Sequence, residues 1–154
     1  MQQALPRKVN TELGIKSPAA KFYNLFATKL NCVQNLCERV PETKLQEGDW
    51  HVVGSVINWT YVIDGKVNTC DERIEAIDKH NKTIKYSLFG GDISRNFKTF
   101  TLILQVTDNI DGSGAAVKWT IEYEKLHEDN EPPHGWVDYL NKCTGDIDAN
   151  LFKV

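Results

Sequence analysis

Glu72 is the residue whose type and place most invite chemistry. Cys70, Glu72, Ile74 and Ala76 alternate with Asp71, Arg73 and Glu75. In a strand with period two, the carboxyl then shares a face with apolar neighbours. A carboxyl turned toward an apolar interior loses hydration, its pKa rises, and it can serve as a general acid or base. The alternatives are a register that leaves Glu72 in water, or a buried structural pair with Arg or Lys. Tyrosines form the second group. Tyr61, Tyr86, Tyr123 and Tyr139 fall on or beside apolar faces, and a phenol in an apolar pocket can donate to a carbonyl or enolate oxygen. For each, the competing reading is a core aromatic whose hydroxyl reaches backbone or solvent. Glu72 and Tyr86 are the candidate catalytic pair.

Trp59, Trp119 and Trp136 offer flat walls for a hydrophobic ligand or a developing cation, or else plain packing. Cys70 and Cys143 point inward on pattern. Nothing in the spacing gives either a His or Lys partner, so small core thiols are the competing reading. His51, between Gly48 and Gly54, could relay protons or simply sit in water. His80, His127 and His134 fall in turns or at strand ends and receive no role. Neither CxxC nor HExxH spacing occurs, so no metal site is expected.

The elements that must hold these residues follow from periodicity. Arg7 to Ile15 predicts a strand. Ser17-Pro18 opens a helix, with Ser capping free N–H groups and Pro in the first turn; Phe22, Leu25, Phe26 and Leu30 give it an apolar stripe. A second short helix is expected over Cys32 to Arg39, ended by Pro41. From Lys44 the period is two. Ile57, Trp59, Tyr61 and Ile63 share one face. Then come Ile84, Tyr86 and Leu88, next Phe100, Leu102, Leu104 and Val106, and finally Val117, Trp119, Ile121 and Tyr123. Turns fall at Asp64-Gly65, His80-Asn81-Lys82 and Asp111-Gly112-Ser113-Gly114. Pro132-Pro133 breaks the last strand. A closing helix from about His134 to Phe152 carries Trp136, Leu140, Cys143, Ile147 and Leu151 as its stripe. A meandering antiparallel sheet with one wet face must cover its apolar face with that helix. One helix leaves the wide face incompletely filled, so a hydrophobic cavity is expected between them. Its wall would include Ile74, Leu88, Phe100 and Leu102 with the Trp, Tyr and Cys residues above.

Size and composition set bounds. The 154 residues make one domain, 1–154, with no repeat or linker. Eighteen basic against 21 acidic residues leave a net charge of −3, which argues against electrostatic binding of nucleic acid or an anionic membrane. The first residues lack the apolar stretch of a signal peptide, and no run is long enough to span a bilayer. Four cysteines, far below disulfide-scaffold density, read as reduced thiols in a cytosolic protein.

The strings Ser17-Pro18-Ala19-Ala20-Lys21-Phe22-Tyr23, Gly48-Asp49-Trp50-His51, Gly54 to Tyr61, Asp64-Gly65-Lys66, Glu72 to Asp78, Gly91-Asp92, Lys118 to Leu126 and Asp146 to Leu151 run along nearly the whole chain. Together they resemble the birch-pollen-allergen (pathogenesis-related class ten) superfamily, and within it the major latex protein branch. The resemblance implies an α+β helix-grip fold: a seven-stranded curved antiparallel sheet, two short helices and one long C-terminal helix around a large hydrophobic cavity. It implies a plant cytoplasmic protein that binds a small hydrophobic metabolite (terpenoid, alkaloid or steroid-like); no cofactor or metal is expected, and a monomer and a weak dimer leave the same sequence pattern. The alternative is a cofactor-free cyclase or isomerase acting in the same cavity; a ribonuclease is the weaker third reading. Two departures stand out. The Gly48–Gly54 segment lacks the glycines of a phosphate cradle, and Gly90 stands where relatives of the branch usually carry Glu.

Overall fold

A computed structural model describes residues 7–151. Seven strands follow the alternations: β1 (Arg7–Ile15), β2 (Glu42–Glu47), β3 (Val56–Ile63), β4 (Lys66–Asp78), β5 (Thr83–Phe89), β6 (Phe97–Asp108) and β7 (Ala115–Lys125). They form one antiparallel sheet in the order β1-β7-β6-β5-β4-β3-β2. The chain meanders from β2 to β7, and β1 closes against β7. Helix α1 (Ala19–Thr28) leads through a 3-10 turn (Leu30–Cys32) into α2 (Val33–Leu36); α3 (Gly91–Asn96) interrupts β5 and β6; α4 (His134–Asn150) lies over the sheet. This is the helix-grip arrangement. The expected helix end at Phe152, and Pro6 ahead of the first strand, lie outside the described residues.

Alternation decides which face is buried. Along β6 and β7, Phe100, Leu102, Leu104, Val106, Val117, Trp119, Ile121 and Tyr123 are all buried. From α4, Leu140, Cys143 and Ile147 meet that face, followed by Leu151 just past the helix end. Complete burial of one such Leu or Ile contributes about 1.5–3 kcal/mol relative to exposure. Trp119 is also tied to α4: its indole N–H donates to Thr144 Oγ1 at 2.9 Å.

The elements differ from expectation in four places. Ser17 does not cap α1. Its N–H and Oγ, with the Lys16 N–H, donate to the Asp148 carboxylate on α4 at 2.7–3.0 Å. The α1 N-terminus is served by Asp108 of β6 instead, which accepts from the Ala19 N–H at 2.9 Å. The second short helix stops at Leu36 because Cys37 is already extended, and Val40 before Pro41 is disfavoured in a helix. In β4, Ile74 pairs with Tyr86 but Ala76 pairs with Lys85. The bulge at Glu75 turns Ala76 to solvent and gives the inner face to Ile77, opposite Ile84. Helix α3, six residues long, is too short for periodicity to reveal. It opens on two left-handed glycines: Gly90, just before it, has φ +72 and Gly91, its first residue, φ +49, and a Cβ on Gly91 would collide with the Thr69 carbonyl oxygen. A Glu at Gly90 would have to adopt that left-handed backbone.

Candidate functional site

Between the concave sheet face and α4 lies a cavity of about 50 Å³. The sheet contributes Trp59 and Tyr61 from β3, Cys70 and Glu72 from β4, Tyr86 and Leu88 from β5, Leu102 from β6 and Trp119 from β7. Trp136, Tyr139 and Cys143 face them from α4. The alternation of the strands and the stripe of the helix thus bring most of the expected wall together. Three expected residues lie outside it. Ile74 is buried beside Tyr86 in the strand pairing. Phe100 backs the wall, its ring 5.1 Å from that of Trp136. Tyr123 packs edge-on against Phe97.

Phe26, Val33, Val40, Leu140, Thr144 and Ile147 also line the wall, beyond the residues expected from the sequence. Phe26, Leu140 and Ile147 carried a signal, since they lie on the apolar stripes. Thr144 is one turn beyond Leu140 on the same face, where its Oγ1 donates back to the Leu140 carbonyl at 2.7 Å. Val33 opens α2 and Val40 lies just past it, and both are brought in by tertiary packing alone.

Glu72 is buried in this wall, 6% exposed. No described Lys or Arg forms an ion pair with it. Its Oε1 accepts from the Trp59 indole N–H at 3.2 Å. Neither a register slip into water nor a structural ion pair therefore describes it. Burial pushes its pKa up to about 8, with the Trp59 hydrogen bond pulling the other way. At neutral pH it is largely a neutral carboxyl that can donate as well as accept.

The tyrosines separate by partner. Burial above all raises the pKa of the Tyr61 and Tyr139 phenols, Tyr61 with Cys70 and Tyr139 with Cys143 as thiol neighbours. Tyr86 Oη is buried and, among the described residues, is the one side-chain polar atom so buried without a hydrogen-bond partner. Burial first, and then the neighbouring Glu72 carboxyl, hold it as a neutral phenol. Burial and Glu72 also raise the Cys70 thiol far above its ordinary value, so Cys70 is no ready nucleophile. Among the described residues, no three His, Cys, Asp or Glu side chains stand together as metal ligands.

The cavity is smaller than the resemblance implied. Ordinary ligand pockets span about 300–1,000 Å³, whereas this space holds a few waters. Aromatic rings fill the rest: Trp136 lies 5.0 Å from Tyr61 and 5.3 Å from Tyr139, centroid to centroid, and Tyr61 lies 5.6 Å from Tyr139. Tyr61 and Trp136 also line a surface depression with Asp64, Asp92 and Glu131. Those two rings are the partition between cavity and solvent.

His51 does not line the cavity. Its Nε2 accepts from the Leu30 N–H at 3.0 Å, tying the β2–β3 loop to the 3-10 turn after α1. Burial lowers its pKa, opposed by Asp49, and the bond requires the neutral imidazole.

Residues 4–154 match the model of the pathogenesis-related protein Bet v 1 family. MLP-like protein 34 of Arabidopsis thaliana is 36% identical over 93% of this chain, and the chain spans about half of that protein, 46%. MLP-like protein 31 of Arabidopsis thaliana is 34% identical over 95% of this chain and 86% of its own length. A crystal structure of ginseng major latex-like protein 151 from Panax ginseng superposes with a TM-score of 0.90 at 33% identity, covering 95% of this chain and 97% of that one.

Proposed function

The chain belongs to the pathogenesis-related protein Bet v 1 family, in its major latex protein branch, a membership that supports binding of hydrophobic ligands; on that premise we propose that it holds a small plant metabolite by an oxygen-bearing end at Tyr86. The metabolite is terpenoid, alkaloid or steroid-like, and the setting is the plant cytoplasm. No described helix is long and apolar enough to cross a membrane.

The unpartnered Tyr86 hydroxyl carries this reading. A buried donor left unsatisfied costs about 1–3 kcal/mol, and the acceptor that would satisfy it must come from outside the described chain. A ligand carbonyl or hydroxyl meets that need, with the neutral Glu72 carboxyl beside it as a second donor. The apolar remainder of the ligand would displace the rings of Trp136, Tyr61 and Tyr139. Binding is therefore an exchange of aromatic packing for ligand packing.

A second reading is favoured by one observation, the position of Glu72 near pH 8. A carboxyl that exchanges its proton close to neutrality can protonate or deprotonate a reactive carbon, with Tyr86 steadying the developing oxyanion. That is cyclase or isomerase chemistry without a cofactor. A ribonuclease is supported less, given the net charge of −3 and the lack of a glycine-rich phosphate cradle.

The binding reading is tested by displacement of a neutral naphthylamine fluorophore, N-phenyl-naphthylamine, monitored by energy transfer from tryptophan. The expected result is saturable one-to-one binding, with displacement by a keto-steroid. In Tyr86→Phe the keto-steroid should bind about tenfold more weakly, or 1.4 kcal/mol, and its deoxygenated analogue equally well. Non-saturable uptake, or equal loss for both steroids, contradicts the reading. The catalytic reading is separated by Glu72→Gln, which should abolish turnover of an identified substrate and leave its binding near normal.

A further inference from the structure

Ser17 and Pro18 join β1 to α1 at the surface of the protein. Lys16, Pro18 and Ala20 are exposed and Ser17 is half-buried. Pro18 is extended, with φ −61 and ψ 149. No other Ser or Thr in the chain precedes a proline. This corner is latched to the last turn of α4. The Lys16 N–H and the Ser17 N–H each donate to the Asp148 carboxylate at 3.0 Å, and the Ser17 hydroxyl donates to it at 2.7 Å. Together these bonds outweigh burial and hold the Asp148 carboxyl below its ordinary value, so it is charged at neutral pH. Two turns earlier on α4, Asn141 Oδ1 accepts from Thr11 Oγ1 of β1 at 3.0 Å. The Ser17 hydroxyl serves neither the cavity nor the start of α1, whose first N–H goes to Asp108.

We propose that Ser17 is a phosphorylation site for a proline-directed protein kinase, and that the phosphate unlatches the β1–α1 corner from α4. Proline has a fixed φ and no N–H. A kinase groove that takes the residue after serine extended, and offers it no acceptor, therefore admits Pro18 without loss. In the transfer, the Ser17 oxygen attacks the γ-phosphorus of ATP held by the kinase. The bond from that phosphorus to the β–γ bridging oxygen breaks, ADP leaves, and the hydroxyl proton passes to the kinase's catalytic aspartate. The phosphoserine carries a charge of about −1.5 to −2 at pH 7, and its ester oxygen has no proton. It can no longer donate to Asp148, and its other oxygens would face that carboxylate. Like charges so close repel, the more so where solvent screens them weakly. The kinase captures the open latch, and the phosphate keeps it from reclosing.

The place of the latch gives the modification a consequence. Asp148 directly follows Ile147 and lies one turn beyond Thr144, and both of those line the cavity. Thr144 also accepts from the Trp119 indole N–H. Release of Asp148 loosens the end of the helix that closes the cavity, from outside and whichever ligand the cavity takes.

The test uses the full folded chain with ATP, magnesium and a mitogen-activated protein kinase, followed by digestion and mass spectrometry. The expected result is a single phosphate on the peptide that carries Ser17, absent in Ser17→Ala and in Pro18→Ala. The phosphorylated protein should melt about 4–8 °C lower than the unmodified one. Its Lys16 and Ser17 amides should lose about tenfold or more of their hydrogen-exchange protection. In Asp148→Ala, which has no latch to open, phosphorylation should move the melting temperature far less. A folded chain that the kinase leaves unmodified at Ser17, or modifies there only after denaturation, overturns the site. Phosphorylation at Ser17 with melting and amide protection unchanged overturns the latch.

Discussion

Tyr86→Phe is expected to stabilise the empty protein while weakening its hold on an oxygenated ligand. Removing a buried hydroxyl that has no partner relieves about 1–3 kcal/mol, readable as a rise in the urea midpoint. An unchanged or lower midpoint would mean that the hydroxyl is satisfied in solution. Glu72 gives a pH prediction. Its ordinary value is 4.5 and its folded value about 8. Between those limits the unfolded chain has released a proton that the folded chain retains. Folding therefore binds a proton there, and stability falls as pH rises through the window, levelling above it. Glu72→Gln should flatten this slope and be most stabilising at the alkaline end, as followed by urea midpoints across the window. Asp78 and Asp111 are lowered from 3.8 by their hydrogen bonds, and Asp148 is lowered because its hydrogen bonds to Lys16 and Ser17 together outweigh the effect of burial; their contribution is lost only at more acid pH, so the two limbs are separable. That Glu72 faces inward was legible in the sequence, because alternation alone places it between Cys70 and Ile74. That Trp59 holds it and no described group holds Tyr86 was not, because those partners depend on rotamers and strand register.

At the scale of elements, His51 is a tie between a loop and a helix end. Its ordinary value is 6.5, and burial lowers the folded value. As pH falls below 6.5 the unfolded chain takes up a proton before the folded chain does, so the stability this tie contributes is lost on acidification. The Leu30 amide, which donates to His51 Nε2, should then lose hydrogen-exchange protection relative to its intrinsic rate. His51→Ala should show the same loss at neutral pH, and a Leu30 amide equally protected in both proteins would refute the tie. The sequence placed His51 in the right loop but assigned it the wrong surroundings. A loop residue's partner is chosen by tertiary packing, as Asp108 rather than Ser17 serves the start of α1. The bulge at Glu75 is hidden for a related reason: one inserted residue leaves the alternation readable on both sides but shifts its phase. The long helix and the strand pairs were legible because each repeats its period over many residues.

The whole molecule is a sheet gripping a helix around a space that aromatic rings have nearly closed. Family membership and strand order followed from strings spread along the chain, whereas cavity size did not. Volume depends on how Trp136, Tyr61 and Tyr139 pack in three dimensions. Since Tyr61 and Trp136 stand between cavity and solvent, their displacement should limit ligand association. Trp136→Ala is expected to speed stopped-flow association of the naphthylamine fluorophore while costing about 1–3 kcal/mol of stability, less than a fully buried Trp because the ring is partly exposed. An unchanged rate would place the route elsewhere. The most direct test of the account is native mass spectrometry of the wild type and Tyr86→Phe after exposure to the same plant small-molecule extract. The account predicts one bound hydrophobic, oxygen-bearing molecule per wild-type chain and a much weaker adduct in Tyr86→Phe. A chain that stays empty, or an adduct of equal intensity in both proteins, would contradict it.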